Sequence, residues 1–147
     1  MATELRPAER SQGLPGQAAW SRMAMPQIWI IDDDDEMIHA VELMLKLLDC
    51  TVSAYRSARI AVQDLMQGKR PDVILLDINM PEVSGIDMLE FLRRQESFKN
   101  IPVVMLSSET TDVQVDQAMA LGANAFVFKP VSIEELEEAL KTALTRN

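Results

Sequence analysis

At 147 residues, 48% of them hydrophobic, the chain can bury the core of one ordinary domain and leave a short remainder. A formal net charge of −9 argues against nucleic acid or an anionic membrane surface as a direct ligand. No run approaches the ~20 apolar residues that a membrane span needs.

Residues 1–26 differ in texture from the rest of the chain. They hold Pro7, Pro15 and Pro26 with Gly13 and Gly16, and show no apolar period, so a disordered leader is expected there. Arg6, Arg10 and Arg22 against Glu4 and Glu9 give it +1, which leaves −10 on the remainder. It lacks the central apolar run of a secretory signal.

From residue 27 to the end, strands and helices are expected to alternate. Gln27 to Ile31 is a short apolar run, a first strand. The acids Asp32 to Glu36 come next and suit the positive end of a helix dipole. Ile38, Val41, Leu45 and Leu48 then fall on one helical face. The lone cysteine, Cys50, excludes an internal disulfide and a cysteine-built metal site; it reads as a small buried residue in a reducing, cytoplasmic setting. Thr51 to Tyr55 is a weaker strand. Ser57 caps a helix through Met66, with Gly68 as its stop. Val73 to Leu76 is apolar without alternation, the mark of a strand covered on both faces, and it runs into Asp77. Pro81 and Gly85 mark the next loop. Ser84 caps a helix whose Ile86, Leu89 and Leu92 share a face. Pro102 to Leu106 is a fourth strand. Thr111 to Gln114 has the spacing of a capping box, and Leu121-Gly122 ends that helix. Ala125 to Phe128 is a fifth strand. Ser132 to Glu135 is a second capping box, ahead of a helix that buries Ile133, Leu136, Leu140 and Leu144.

Such alternation implies a parallel sheet with right-handed crossovers and helices on both faces, a three-layer α/β sandwich. In open sheets of this kind, chemistry sits at the carboxyl ends of the strands. Those ends carry Asp32 and Asp33, then Asp77, then Ser107 and Ser108, then Lys129 before Pro130. Side-by-side placement of the first, third, fourth and fifth strands would bring these residues together. Three mutually repelling carboxylates call for a hard divalent cation, and oxygen ligands suit Mg²⁺. Lys129 adds a fixed positive charge and Ser107 a hydroxyl donor. A carboxylate nucleophile so equipped suits an incoming phosphoryl group, with an aspartyl phosphate as product. The reading requires the Lys129 amine to lie beside the Asp77 carboxylate.

The motifs Ile-Ile-Asp32-Asp33, Leu-Leu-Asp77-Ile-Asn79-Met-Pro81, Gly85, Met-Leu-Ser107-Ser108 and Phe-Lys129-Pro130 stand in order. On these, residues 27 to about 144 resemble a receiver domain of two-component response regulators, and 27–147 is assigned as that domain. The resemblance implies a flavodoxin-like (βα)5 sandwich with sheet order 2-1-3-4-5. It implies Asp77 as phosphoacceptor from a histidine kinase or a histidine phosphotransfer protein. Asp33 and Asp77 would ligate Mg²⁺ directly, Asn79 through its backbone carbonyl and Asp32 through water. Lys129 would pair with Asp77 and then with phosphate, across a Lys129–Pro130 peptide that is often cis in the family. Ser107 matches the switch hydroxyl and Phe126 the switch aromatic. Asn79 and Glu109 would set the phosphoform's lifetime, expected to be short. The output would be a changed face of the fourth helix, fifth strand and fifth helix, with Val115, Met119 and Phe126 on it, binding a protein partner rather than DNA, from a monomer or weak dimer. The protein would be no enzyme beyond its own phosphorylation and dephosphorylation.

Plainer readings attach to other residues. Asp34 and Asp35 read as cap or surface residues, Ser108 as a backbone-level phosphate contact and His39 as an ordinary helix residue. Met44, Met66, Met88 and Met105 read as core filler, and Met80 and Met119 as candidate partner contacts. Two alternatives stand beside the phosphoacceptor. A pseudo-receiver would keep the fold without the chemistry. A haloacid-dehalogenase-like phosphatase would want a second Asp where Asn79 stands. Translation is expected to start at Met23 or Met25, just before the first strand; the intact mass of protein from its native host should match such a start, and a mass matching residue 1 would refute it.

Overall fold

The computed structural model describes residues 25–108 and 112–145. The expected leader, apart from Met25 and Pro26, lies outside these residues, as do Met23, Glu109 and Thr111 of the first capping box. The elements are β1 (Gln27–Ile31), α1 (Asp35–Leu47), β2 (Thr51–Tyr55), α2 (Ala58–Met66), β3 (Val73–Asp77), α3 (Gly85–Arg94), β4 (Val103–Ser107), α4 (Asp112–Ala120), β5 (Ala125–Phe128) and α5 (Ile133–Thr145). The strands form one parallel sheet of order β2-β1-β3-β4-β5, as expected.

Strand alternation divides the core in two, because successive side chains point to opposite faces. Ile28, Ile30, Val73, Leu75, Val104 and Leu106 face α1 and α5, meeting Ile38, Val41, Leu45, Leu136 and Leu140. Trp29, Ile31, Ile74, Leu76, Val103 and Met105 face α2, α3 and α4, meeting Ala61, Leu65, Met88, Leu89, Leu92 and Ala118. The central strands β3 and β4 are buried throughout, whereas the edge strand β2 is half-buried along its length. That difference explains the weaker apolar signal of Thr51 to Tyr55.

Helix starts obey the local chemistry. The side chains of Asp34, Ser57 and Ser84 accept hydrogen bonds from the backbone N–H groups of Glu36, Ile60 and Asp87. Ser132 and Glu135 close a reciprocal capping box, each bonding the other's backbone N–H. Gly68 and Gly122 take positive φ just past α2 and α4.

Two methionine expectations fail. Met66, read as core, is 70% exposed, because it is the last residue of α2, turned away from the sheet. Met80, read as a partner contact, is buried, because the β3–α3 loop folds inward onto the core around Met88.

The position of that loop depends on Gly85. Its backbone N–H donates to the Ile78 carbonyl at 2.8 Å. A Cβ there would collide with the backbone carbonyl of Asp77 and crowd Ile78 Cα. Backbone cannot swing aside as a flexible side chain can, so Gly85→Ala should cost about 1–3 kcal/mol. Urea unfolding measures the loss; an unchanged midpoint would show that the loop tolerates the displacement.

Candidate functional site

Sheet register sets the site. Asp77 is the last residue of β3 and pairs with Leu106, one residue short of Ser107 at the end of β4. The chain leaves each strand with its hydrogen bonding continued. The Asp32 N–H donates to the Tyr55 carbonyl, that of Ile78 to Leu106, and that of Lys129 to Ser107. These bonds fix the backbone at the residues that carry Asp32, Asp77 and Lys129. The Lys129–Pro130 peptide is cis.

The acids and the base meet. Lys129 Nζ lies 2.9 Å from Asp32 Oδ2 and 2.9 Å from Asp77 Oδ1, donating to both. Asp32 is fully buried and Asp77 nearly so. The second oxygen of Asp32 accepts from the Asp34 backbone N–H at 2.9 Å, so this carboxylate is held at both ends. Asp33 is exposed at the rim. Asp32, Asp33 and Asp77 each offer a carboxylate oxygen, and the three atoms lie within 4.8 Å of one another.

Burial shapes the electrostatics. It pushes the Asp77 carboxyl above its ordinary value, and the Asp32 charge adds to the rise; hydrogen bonds from Lys129 and the Asn79 backbone pull the other way without cancelling it. Burial alone would lower the Lys129 ammonium, but its bonds to Asp32 and Asp77 outweigh that and hold it above the ordinary lysine value. With all four groups ionised the cluster carries a net −2. An all-oxygen donor set with that deficit is matched in charge and in hardness by one divalent cation.

The remaining sequence candidates are spread around this centre. Asn79 is exposed on the β3–α3 loop, and Ser108 is exposed just past β4. Ser107 is fully buried, and its hydroxyl donates to Gln114 Oε1 in the first turn of α4 at 3.5 Å. Phe126 is half-buried on β5, its ring centroid 5.1 Å from that of Phe128. His39 is exposed on α1, away from any cluster of metal-ligating groups among the described residues. Glu109 lies outside the described residues. Sequence reasoning missed Gln114 as a partner of Ser107, since its spacing from Thr111 suggested a cap instead.

No helix of the described residues is long and apolar enough to cross a membrane. A family model described as "Response regulator receiver domain" matches residues 28–141. The chemotaxis protein CheY of Pseudomonas aeruginosa is 29% identical over 120 residues, which is 82% of this chain and 97% of that protein. The transcriptional regulatory protein AfsQ1 of Streptomyces coelicolor is 30% identical over 122 residues, 83% of this chain but 52% of that protein. The chain thus spans about half the length of such longer relatives. Among solved structures, the chemotaxis protein CheY4 of Vibrio cholerae superposes with a TM-score of 0.76 at 29% identity, covering 82% of this chain and 100% of that one. A response regulator from Chloroflexus aurantiacus gives 0.78 at 26% identity, over 83% and 99%. With the motifs, the sheet order and the acidic cluster in agreement, the chain belongs to the receiver domains of response regulators.

Proposed function

We propose that Asp77 is the phosphoacceptor of this receiver domain, supplied by a histidine kinase or a histidine phosphotransfer protein. The observation that carries the reading is the Lys129 ammonium bridging Asp32 and Asp77, with Asp33 close enough to share a cation. One Asp77 oxygen attacks phosphorus, the phosphorus–nitrogen bond to the donor imidazole breaks, and the imidazole leaves with the bonding pair and takes up a proton. Asp33, Asp77 and the Asn79 carbonyl would hold Mg²⁺, with Asp32 acting through water, and the ion would supply charge neutralisation for the three equatorial oxygens. Lys129 moves from carboxylate to phosphoryl oxygen, keeping its charge beside the group where negative charge accumulates. The Ser107 hydroxyl donates to a second phosphoryl oxygen.

Phosphorylation adds roughly −1.5 to −2 charge and new acceptor oxygens. Drawing Ser107 inward makes room for Phe126 to turn from an outward to an inward position. The face of α4, β5 and α5 then changes, a shift between existing states sized by the contacts that differ. A protein partner reads that face. Asn79 and Glu109 govern access of water to the phosphoryl group, and their polarity suits a short-lived phosphoform.

Incubation with acetyl phosphate and Mg²⁺ should add one phosphoryl mass to the intact chain. Chelation by EDTA and the substitution Asp77→Asn should each abolish the gain. An unmodified wild-type chain would point instead to a phosphorylation-independent interaction module, and multiple turnover of a phosphate ester to a phosphatase.

The raised Asp77 carboxyl gives a second test. Folded Asp77 holds its proton more tightly than the unfolded chain, whose value is the ordinary 3.8. Between 3.8 and the raised value the folded state binds more protons, so stability falls as pH rises through that window. Above it, the ionised group costs stability in full. Without Mg²⁺ at neutral pH, Asp77→Asn should therefore melt at a higher temperature than wild type, with the gap closing toward acid pH; a lower melting temperature would contradict the assignment of strain to this carboxylate.

A further inference from the structure

We propose that the open edge of β5 takes up an extended segment of a partner protein as a sixth strand, one whose side chains alternate between cationic and apolar. The inference rests on the reading that a protein partner engages the face of α4, β5 and α5, and names what that partner must present. It is independent of the chemistry at Asp77.

β5 ends the order β2-β1-β3-β4-β5, so one of its edges has no neighbour in the sheet. The Asn124 N–H donates across to the Val103 carbonyl of β4 at 2.8 Å. Backbone groups alternate in direction along a strand, so those of Ala125 and Val127 turn to the open side. A groove of about 390 Å³ runs there, touching all four residues of β5 and, on α5, Glu135, Glu138, Ala139 and Thr142. Consecutive strand side chains point to opposite faces, so a groove that meets all four residues meets the strand at its edge. The four α5 residues stand three or four apart, one helical face laid along that edge.

The wall that α5 supplies is firm. This helix buries Leu136, Ala139, Leu140 and Ala143. By contrast α4 buries only Ala118 among its described residues, and Val113 is 76% exposed. Its exit is held from outside, by Arg93 of α3, which donates from Nε to the Gly122 carbonyl at 3.0 Å. The groove therefore lies on the fixed side of β5.

The chemistry of the walls selects the occupant. Ala125 and Val127 face the layer of α1 and α5, whereas Phe126 faces the other layer, with the Phe128 ring centroid 5.1 Å from its own. An added strand would set alternate side chains beside α5 and beside the two phenylalanines. α5 carries Glu134, Glu135, Glu137 and Glu138 against Lys141, and none of these glutamates has a cationic partner among the described residues. Ser132 holds Glu135 in place, and Glu138 is exposed beside the strand. Cationic side chains suit the first set of positions and apolar ones the second, while main-chain bonds to Ala125 and Val127 supply the pairing. A second copy of the chain fits poorly, because edge-to-edge pairing about a two-fold axis sets Glu135 and Glu138 against their own counterparts.

The test uses an acetylated, amidated peptide of sequence Lys-Val-Lys-Phe-Lys-Val, titrated into the full chain and followed by backbone amide resonances and hydrogen exchange. Binding should slow exchange at Ala125 and Val127 by at least about tenfold. Of two versions N-methylated at alternate residues, one in each phase, one should bind and the other should not, since an added strand pairs through a single edge. Glu138→Lys should weaken binding roughly five- to twentyfold, exchanging an attraction for a repulsion, and Glu134→Lys, outside the groove, by less than about threefold. Equal losses in the two variants, or binding of both methylated versions, would mean attraction by net charge alone and overturn the strand. No binding of the unmodified peptide overturns it too, as does exchange at Ala125 and Val127 that slows with protein concentration before peptide is added, which makes a second copy the occupant. Resonance shifts elsewhere on α4, β5 and α5 without protection of the edge overturn the strand and leave the partner-binding face standing. Shifts confined to α1, α2 or α3 overturn both.

Discussion

The placement of one ammonium between two buried carboxylates is the constraint on which the rest of the site depends. Asp32 and Asp77 are both buried, in a region where an isolated charge is costly to hold. Lys129 satisfies both at once, and it does so from the far end of the chain, across sequence separations of 97 and 52 residues. Ionised together with Asp33, the group still falls two positive charges short. That shortfall is a chemical specification: it asks for a divalent cation and then for a ligand whose negative charge can be shared between that cation and the lysine.

The fold meets the specification through register rather than through any local motif. Asp77 ends β3, and Asp32 and Lys129 stand just past β1 and β5; parallel pairing of one sheet brings the carboxyl ends of these three non-consecutive strands to one side. The buried runs of β1, β3 and β4 fix that register strongly, because a one-residue slip would turn every apolar side chain to the opposite layer. Gly85 completes the arrangement by letting α3 begin against the Asp77 carbonyl, where any side chain would intrude. Packing of the core and geometry of the charges are therefore one problem with one solution.

Much of this was readable in the amino-acid order. The unalternating run before Asp77 announced a doubly covered strand, and the caps at Ser57, Ser84 and Ser132 announced helix starts, since both signals are local. Edges of elements were less legible: Asp77 and Ser107 are the last residues of their strands rather than the first beyond them. Met66 and Met80 misled because thioether side chains suit core and surface alike, and only the end of a helix or the fold of a loop decides between them. Gln114 and Arg93 escaped notice for a different reason. Their partners lie in other elements, and no spacing along the chain records a glutamine turned to a serine in the neighbouring strand or an arginine reaching the next helix's exit.

The shallow seating of α4 has a consequence for how such a chain can diversify. A helix that commits a single buried residue to the core among those described contributes little to holding the domain together, so its outward positions are released from the demands of folding. Val113, Met119 and their neighbours can be exchanged at small thermodynamic expense, while the strands beneath tolerate almost nothing. Recognition surfaces of very different character could then be installed over one unaltered chemical centre.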